Sequence, residues 1–298
     1  MFKLIRLFSA LFSMSLRRSI TFRTDMLFEL LLTLVAAASS IAALSVVYTR
    51  TDTLGGWTPG EAIALLGTFQ VISGLRTVFV EPNIEWFGEQ VKNGRFDAVL
   101  VQPAPAIFLA SLGACAPLSL IQVALGLAVV AFGVVQAAVA LTLIGVVAWM
   151  VLVVTATVIM WATRVTIAAV VFWAFGLSLD VVYDAIWQFA RYPVQIYRQP
   201  LQLIFTYVLP VALVATVPTD ILARGGGLIA VPVAIVIAAA ACAAAGFVGA
   251  QACAATPARP VRSGGRGRWS SSARLHTRPA GSRVLRCPPH RCATDGSC

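Results

Sequence analysis

The chain has 298 residues, 59% of them hydrophobic and only 11% charged, with a mean hydropathy of +0.87. A soluble domain carries about a quarter charged residues, so a water-soluble globule is excluded and the bilayer is the solvent. The formal net charge of +10 is concentrated near the C-terminus, where nine arginines from Arg259 to Arg291 face one acid, Asp295; the remainder is nearly balanced, and no nucleic-acid partner is indicated.

The apolar runs are long and do not alternate, which excludes a barrel and leaves helices. The expected fold is an all-α polytopic membrane protein. It has about six transmembrane helices, an N-terminal amphipathic interfacial helix, and a re-entrant segment before the last span.

The first two dozen residues begin like a signal peptide. However, Ser9, Ser13 and Ser15 break the apolar stretch, Arg17 and Arg18 follow it, and no convincing cleavage site is present. Lys3, Arg6, Ser13 and Arg17 fall near one helical face, with Leu4, Phe8, Leu11, Phe12 and Leu16 opposite, the pattern of a helix lying in the interface. Span 1 is predicted over 26–48, with Glu29 snorkelling or paired to Arg23. Gly55, Gly56 and Pro59 mark a loop anchored by Trp57. Span 2, over 61–80, carries Gln70 and Arg76, the latter pairing with Glu81 or reaching headgroups.

A polar segment, 81–105, follows. Spans 3 and 4, over 107–134 and 137–161, are joined by a very short link and are expected to form an antiparallel hairpin. Thr163 and Arg164 make the next turn, and span 5 covers 166–190. The run 201–217 is short and broken by Pro210, so it is read as re-entrant. Gly225, Gly226 and Gly227 open span 6, over 228–250, where Gly246 and Ala250 are spaced for close helix packing. Residues 1–250 form the transmembrane domain. Beyond them, 251–298 is a basic low-complexity tail, either disordered or the product of a frameshift, a question that resequencing decides.

Basic residues near the span ends set orientation. Lys3, Arg6, Arg17, Arg18 and Arg23 precede span 1, Lys92 and Arg95 separate spans 2 and 3, and Arg164 separates spans 4 and 5. All fall on one side, which places both termini in the cytoplasm. Arg191, Arg198 and Arg224 fall on the other side and count against that placement.

Two stretches could carry function. Glu81, Glu85 and Glu89 recur at helical spacing beside Trp86 and Phe87. Lys92, Gly94, Arg95, Phe96 and Asp97 then lead to Pro103 and Pro105. A short amphipathic helix, a glycine turn and a proline-marked return make a protrusion, either a dock for a soluble partner or a solvated loop. Asp180 and Asp184 are one turn apart and share a face with Gln188 and approximately with Arg191, with Tyr183 alongside. They line a path that favours cations, or they sit in the outer interface paired with Arg191 or Arg198.

No GxxxxGK[ST] phosphate loop is present, so an ATP-driven role needs an ATPase on another chain. Cys287, His290 and Cys292 have metal-ligand chemistry without zinc spacing. The apolar region holds no histidine and no nucleophile–base pair, so the chain is not read as an enzyme.

Three stretches together resemble the ABC-2-type permeases, in particular a bacterial six-span subgroup, over roughly residues 1–250. They are Arg17, Arg18, Phe22 and Arg23 leading into span 1; Val91, Gly94, Phe96, Asp97, Leu100 and Pro103; and Tyr192–Tyr197 with Leu201, Leu209–Ala212 and Pro218. The resemblance implies that the N-terminal helix is a connecting helix. It implies a coupling helix between Glu81 and about Leu100 that presents Glu85, Trp86, Glu89, Lys92, Gly94, Arg95, Phe96 and Asp97 to an ATP-binding subunit. It also implies a re-entrant outer region over 192–218. Two permeases, identical or paralogous, would pair with two ATPase subunits in a bacterial inner membrane. They would export drugs, lipids or glycoconjugates, with ATP and magnesium on the partner and no cofactor in this chain. The tail departs from the family pattern. The alternatives are a secondary transporter, which needs midplane ionisable groups such as Asp180 and Asp184, and a membrane scaffold.

Overall fold

In lipid an apolar helix satisfies its own backbone, so helices are organised by where small residues let them approach and where polar groups must find partners. The computed structural model describes Arg6, Ser9 and residues 12–16, 23–92, 115–170, 179–208 and 211–255. The chain divides into two units, Met1–Thr256 and Pro257–Cys298. Everything described belongs to the first. Of the basic tail predicted over 251–298, residues 251–255 instead continue the last helix, whose small residues run on past 250, and the rest lies outside the described residues.

Eight helices carry the described fold: α1 Arg23–Tyr48, α2 Pro59–Phe79, α3 Glu81–Lys92, α4 Leu120–Gln136, α5 Leu143–Val170, α6 Leu179–Trp187, α7 Thr216–Arg224 and α8 Ala230–Ala255. Short turns of helix over Gln188–Arg191, Val194–Ile196, Leu201–Leu203, Ile204–Val208 and Val211–Leu213 link α6 to α7. Among the described residues the only strand-like pairing is the bridge between Leu54 and Trp57. Among the described residues five stretches are long and apolar enough to cross a membrane: Leu30–Tyr48, Pro59–Trp86, Pro117–Gln136, Leu143–Ala168 and Ala230–Gly249. The protein is thus a polytopic all-α membrane protein.

α2 is the centre of the unit. Two-thirds of its span (67%) is buried, against 6% for α1 and 17% for α8. It starts with a full capping box: Thr58 N–H donates to Glu61 Oε2 at 2.9 Å, and Glu61 N–H donates to Thr58 Oγ1 at 3.4 Å. Gly60, Gly67 and Gly74 recur every seven residues along α2, and Gly126 and Gly133 repeat that spacing on α4. A Cβ built on Gly67 would lie 2.5 Å from Val130 N, and one built on Gly126 would lie 2.7 Å from Val71 N. The two backbones therefore touch along their length.

This contact explains a difference from expectation. α4 packs chiefly on α2, not in a hairpin with α5, because its glycine face matches that of α2. α5 packs instead on α8, through Ala148, Leu152 and Ile159 against Ala234 and Ala238. Gly246, expected to mediate close packing, has no atom of the described chain within 4 Å of a Cβ built on it.

Contacts along α2 order the other elements by depth, from a Trp57 end to an Arg76 end. At the Trp57 end, Gly60 meets Ala137 and Arg224 meets Glu61. Midway, Gly67 meets Val130, and Thr68 meets Trp149 and Thr219. At the Arg76 end, Gly74 meets Val123, and Arg76 meets Asp184. α6 and the following turns therefore climb from the Arg76 end, at Asp184, to the Trp57 end, where a Cβ built on Gly55 would lie 3.4 Å from Gln195. The chain then returns to mid-depth at Thr219 and comes back out along α7 to Arg224.

Predicted boundaries shift. Of the span predicted over 107–134, residues 107–114 lie outside the described residues, 115 and 116 are not helical, and helix starts at Pro117, since proline lacks the N–H and suits a first turn. The fourth span starts at Leu143, and the turn expected at Thr163 and Arg164 is replaced by continuous helix to Val170. No glycine or proline follows Gly145 in that helix, and the Thr163 hydroxyl bonds back to the carbonyls of Ile159 and Met160, both at 3.0 Å. Of the predicted fifth span, 166–170 belong to α5 and 179–187 to α6, and 171–178 lie outside the described residues.

Candidate functional site

The apolar helices carry few charges, and a charge in a span is costly unless paired. At the Arg76 end four of them meet. Arg76 Nη2 lies 2.7 Å from Glu81 Oε1, and Arg76 Nη1 lies 2.7 Å from Asp184 Oδ1. Arg164 Nη2 lies 2.7 Å from the same Asp184 oxygen and 4.0 Å from Glu81 Oε1. These contacts between two guanidinium groups and two carboxylates join α2, α3, α5 and α6. Arg164 also stacks over Tyr183, 5.0 Å from its ring centre, and the Tyr183 hydroxyl meets Thr163 Oγ1 at 2.9 Å.

The cluster revises the sequence reading of Asp184. Its partners are Arg76 and Arg164, not Arg191 or Arg198, because Asp184 lies at the Arg76 end of α2. Of the four path candidates, Tyr183 and Asp184 come together there. Gln188 is exposed on the next turn, and Asp180 lies on α6 with its side chain outside the described residues. Arg76 does pair with Glu81.

α3 leaves this cluster directly. Asn83 Nδ2 donates to Phe79 O at 2.6 Å, fastening the start of α3 to the end of α2. Glu85 is exposed and Trp86 half-buried; Glu89 and Lys92 continue the same helix. Gly94, Arg95, Phe96 and Asp97 lie outside the described residues.

At mid-depth, Trp149 Nε1 donates to Thr68 Oγ1 at 3.2 Å, and Thr219 Oγ1 lies 3.1 Å from the same oxygen. Each threonine hydroxyl also faces the carbonyl four residues back, Ala64 or Ala215. This knot joins α2, α5 and α7. At the Trp57 end, Arg224 bonds both Glu61 oxygens at 3.1 and 2.9 Å and Gly56 O at 2.8 Å, and lies over the Trp57 ring at 4.6 Å. Burial raises the Asp220 carboxyl above its ordinary value, with nearby Arg224 opposing that shift. Burial likewise pushes the Tyr197 phenol up to about 12.

α6 and its continuation carry an aromatic ladder toward the middle. Tyr183 stacks on Trp187 at 6.3 Å, Trp187 lies 6.2 Å from Phe69, and Arg191 sits 5.4 Å from the centre of the same Phe69 ring. Arg191 also borders a partly open recess of about 20 Å³, lined by Ala37 and Ser40 of α1, Phe69 and Gln70 of α2 and Val129 of α4. Sequence reasoning placed Arg191 at the outer surface. Its return to Phe69 depends on where α6 begins, which no local pattern announces. Among the described residues no three His, Cys, Asp or Glu side chains lie together as metal ligands.

A family model described as ABC-2 family transporter protein matches residues 34–250. No curated protein and no solved structure matches the chain.

Proposed function

The chain belongs to the ABC-2 transporter family, and on that premise we propose that it forms the translocation path of an exporter driven by a separate ATP-binding subunit. Membership makes it a membrane transport subunit, not an enzyme. In the proposed complex α3 is the contact with the ATPase, through Glu85, Trp86, Glu89 and Lys92 and onward through Gly94, Arg95, Phe96 and Asp97. ATP and magnesium reside on the partner, and a second permease, identical or paralogous, completes the path. The Arg76 end then faces the cytoplasm of a bacterial inner membrane, with both termini on that side.

The observation that carries this reading is the ionic cluster. Glu81, the first residue of α3, is tied through Arg76 to Asp184 on α6. A push on α3 is therefore delivered at once to α2, α5 and α6. Helices with satisfied backbones move as rigid units, so a shift at one end is transmitted to the other. The segment from Tyr192 to Pro218, turned back at the Trp57 end, is then the element that opens or closes the outer side.

Affinity purification of the chain from its native membranes in a mild detergent tests the proposal. A P-loop ATPase at near-equal stoichiometry, lost when 94–100 is replaced by a glycine–serine linker, is the expected result. A chain that purifies folded and alone under several detergents, and whose transport stops on collapse of the proton gradient at constant ATP, would establish secondary transport instead.

A further inference from the structure

Asp184 was the natural candidate for a path that favours cations, yet in the fold its charge is used up. Two arginines hold its carboxylate, each at 2.7 Å. The charge left over is of the opposite sign. Arg191 reaches the Phe69 ring near the middle of α2, at 5.4 Å. Its Nε is buried and has no acceptor among the described residues, and no described carboxylate lies within ion-pair distance of it. One turn earlier, Trp187 is 5% exposed and its indole N–H is also without an acceptor. Trp187 packs on the same Phe69 ring. Two buried donors, one cationic, thus flank one aromatic ring at a depth where water is scarce.

A cation–π contact offsets part of the cost of burying a guanidinium but leaves the Nε–H of Arg191 without an acceptor. The recess that Arg191 borders has room for one. It holds about 20 Å³, room for one oxygen-sized group. Gln70 adds a polar group to walls that are otherwise mostly apolar, Ala37, Ile41, Leu66, Phe69 and Val129, while the Ser40 hydroxyl at the rim donates to Ala36 O at 2.8 Å. A site with one cation, a neutral polar group and apolar walls selects a single oxyanion carried on an apolar body.

We propose that Arg191 and the recess between α1, α2 and α4 form a subsite for the oxyanion of an amphiphile, a phosphate or carboxylate on an apolar tail. The inference rests on the transport reading and deepens it by naming a class of cargo. The subsite itself is a binding property that needs no ATPase, so the two can fail separately.

The test is equilibrium binding of tail-labelled phosphatidylglycerol to the purified full-length chain in a neutral maltoside detergent. Tail-labelled phosphatidylcholine is the neutral arm and inorganic phosphate the competitor. The wild type binds phosphatidylglycerol saturably and at least tenfold more tightly than phosphatidylcholine. Arg191→Gln removes that preference, Arg191→Lys keeps part of it because the charge remains while the planar group stacked on Phe69 is lost, and Arg198→Gln, at an exposed arginine, leaves it unchanged. Competition by millimolar inorganic phosphate assigns the site to free oxyanions as well; its absence assigns it to the lipid-borne group. Should Arg191→Gln fail to fold, Ser40→Phe, which fills the recess from α1, is expected to show the same loss. Phosphatidylglycerol binding that is equal to phosphatidylcholine binding, or that survives both Arg191→Gln and Ser40→Phe, overturns the proposal. Intact preference in a chain that does not couple to ATP would count against the exporter reading alone.

Discussion

Asp184 shows how one residue changes meaning between sequence and fold. Along the chain its neighbours in helical register are Asp180, Gln188 and Arg191, and an outer ion pair with Arg191 is a natural reading. Its actual partners are Arg76, 108 residues away, and Arg164, 20 residues away. Neither separation is helical, so no periodicity reveals the pairing. What was legible was the anomaly: arginines inside apolar spans need counter-ions. Arg76 found the predicted one in Glu81, since i+5 across a helix junction is a local contact. Asp184→Asn removes the carboxylate that Arg76 and Arg164 share. It is expected to cost about 2 kcal/mol, in the range for a hydrogen bond to a charged group, whereas Gln188→Ala, at an exposed position, changes stability by less than about 0.5 kcal/mol. Thermal unfolding of the two purified variants in one detergent checks the contrast, and equal midpoints would show that the cluster contributes nothing. Thr68→Val removes the acceptor for Trp149 while keeping the shape, with an expected loss of about 1 kcal/mol, read from the same unfolding curves.

At the scale of elements, hydropathy located the apolar runs well and their mutual packing poorly. The runs over 26–48, 61–80 and 228–250 correspond closely to α1, α2 and α8, because each is bounded by turn residues such as Gly55, Gly56 and Gly225. The boundary at Thr163 and Arg164 was misplaced because polarity alone does not end a helix when threonine can bond its own backbone. The seven-residue glycine register on α2 and α4 was present in the sequence, but a single run cannot show which helix it matches. That register leads to opposite effects for two similar substitutions. Gly67→Leu drives atoms into the α4 backbone and is expected to cost more than about 3 kcal/mol, beyond ordinary overpacking because backbone cannot yield. Gly246→Ala, with open space around it, gains up to about 1 kcal/mol from helix propensity. Measuring both by chemical or thermal unfolding in micelles tests whether α2 and α4 are in backbone contact; a mild effect at Gly67 would contradict it.

For the whole molecule, composition indicated the solvent, and long apolar runs without alternation then left helices over a closed barrel. The order of crossings needed the contacts, which place Asp184 and Gln195 at opposite ends of α2 although only 11 residues separate them. The resulting unit has a buried centre in α2 and two largely unburied apolar helices, α1 and α8, at its margins. Among the described residues the ion pairs gather at the two ends of α2. A mechanical input at the Arg76 end has a physical route to the Trp57 end through α2 and the helices tied to it, with the Thr68–Trp149–Thr219 knot holding α7 to that frame. Loosening the input end therefore has a specific expected consequence. Glu81→Gln weakens the tie between α3 and α6 and lowers ATP-dependent transport several-fold, with the amount of protein in the membrane unchanged. Parallel transport assays and membrane immunoblots read the two quantities, and unaltered transport would remove the cluster from the coupling route.

The most direct test of that arrangement is site-specific photo-crosslinking in native membranes, with a photoreactive amino acid at Glu85, exposed on α3, or at Arg198, exposed beyond α6. The account predicts a crosslink from position 85 to a nucleotide-binding chain and none from position 198. A nucleotide-binding chain captured from 198, or from neither position while the protein remains folded, would contradict it.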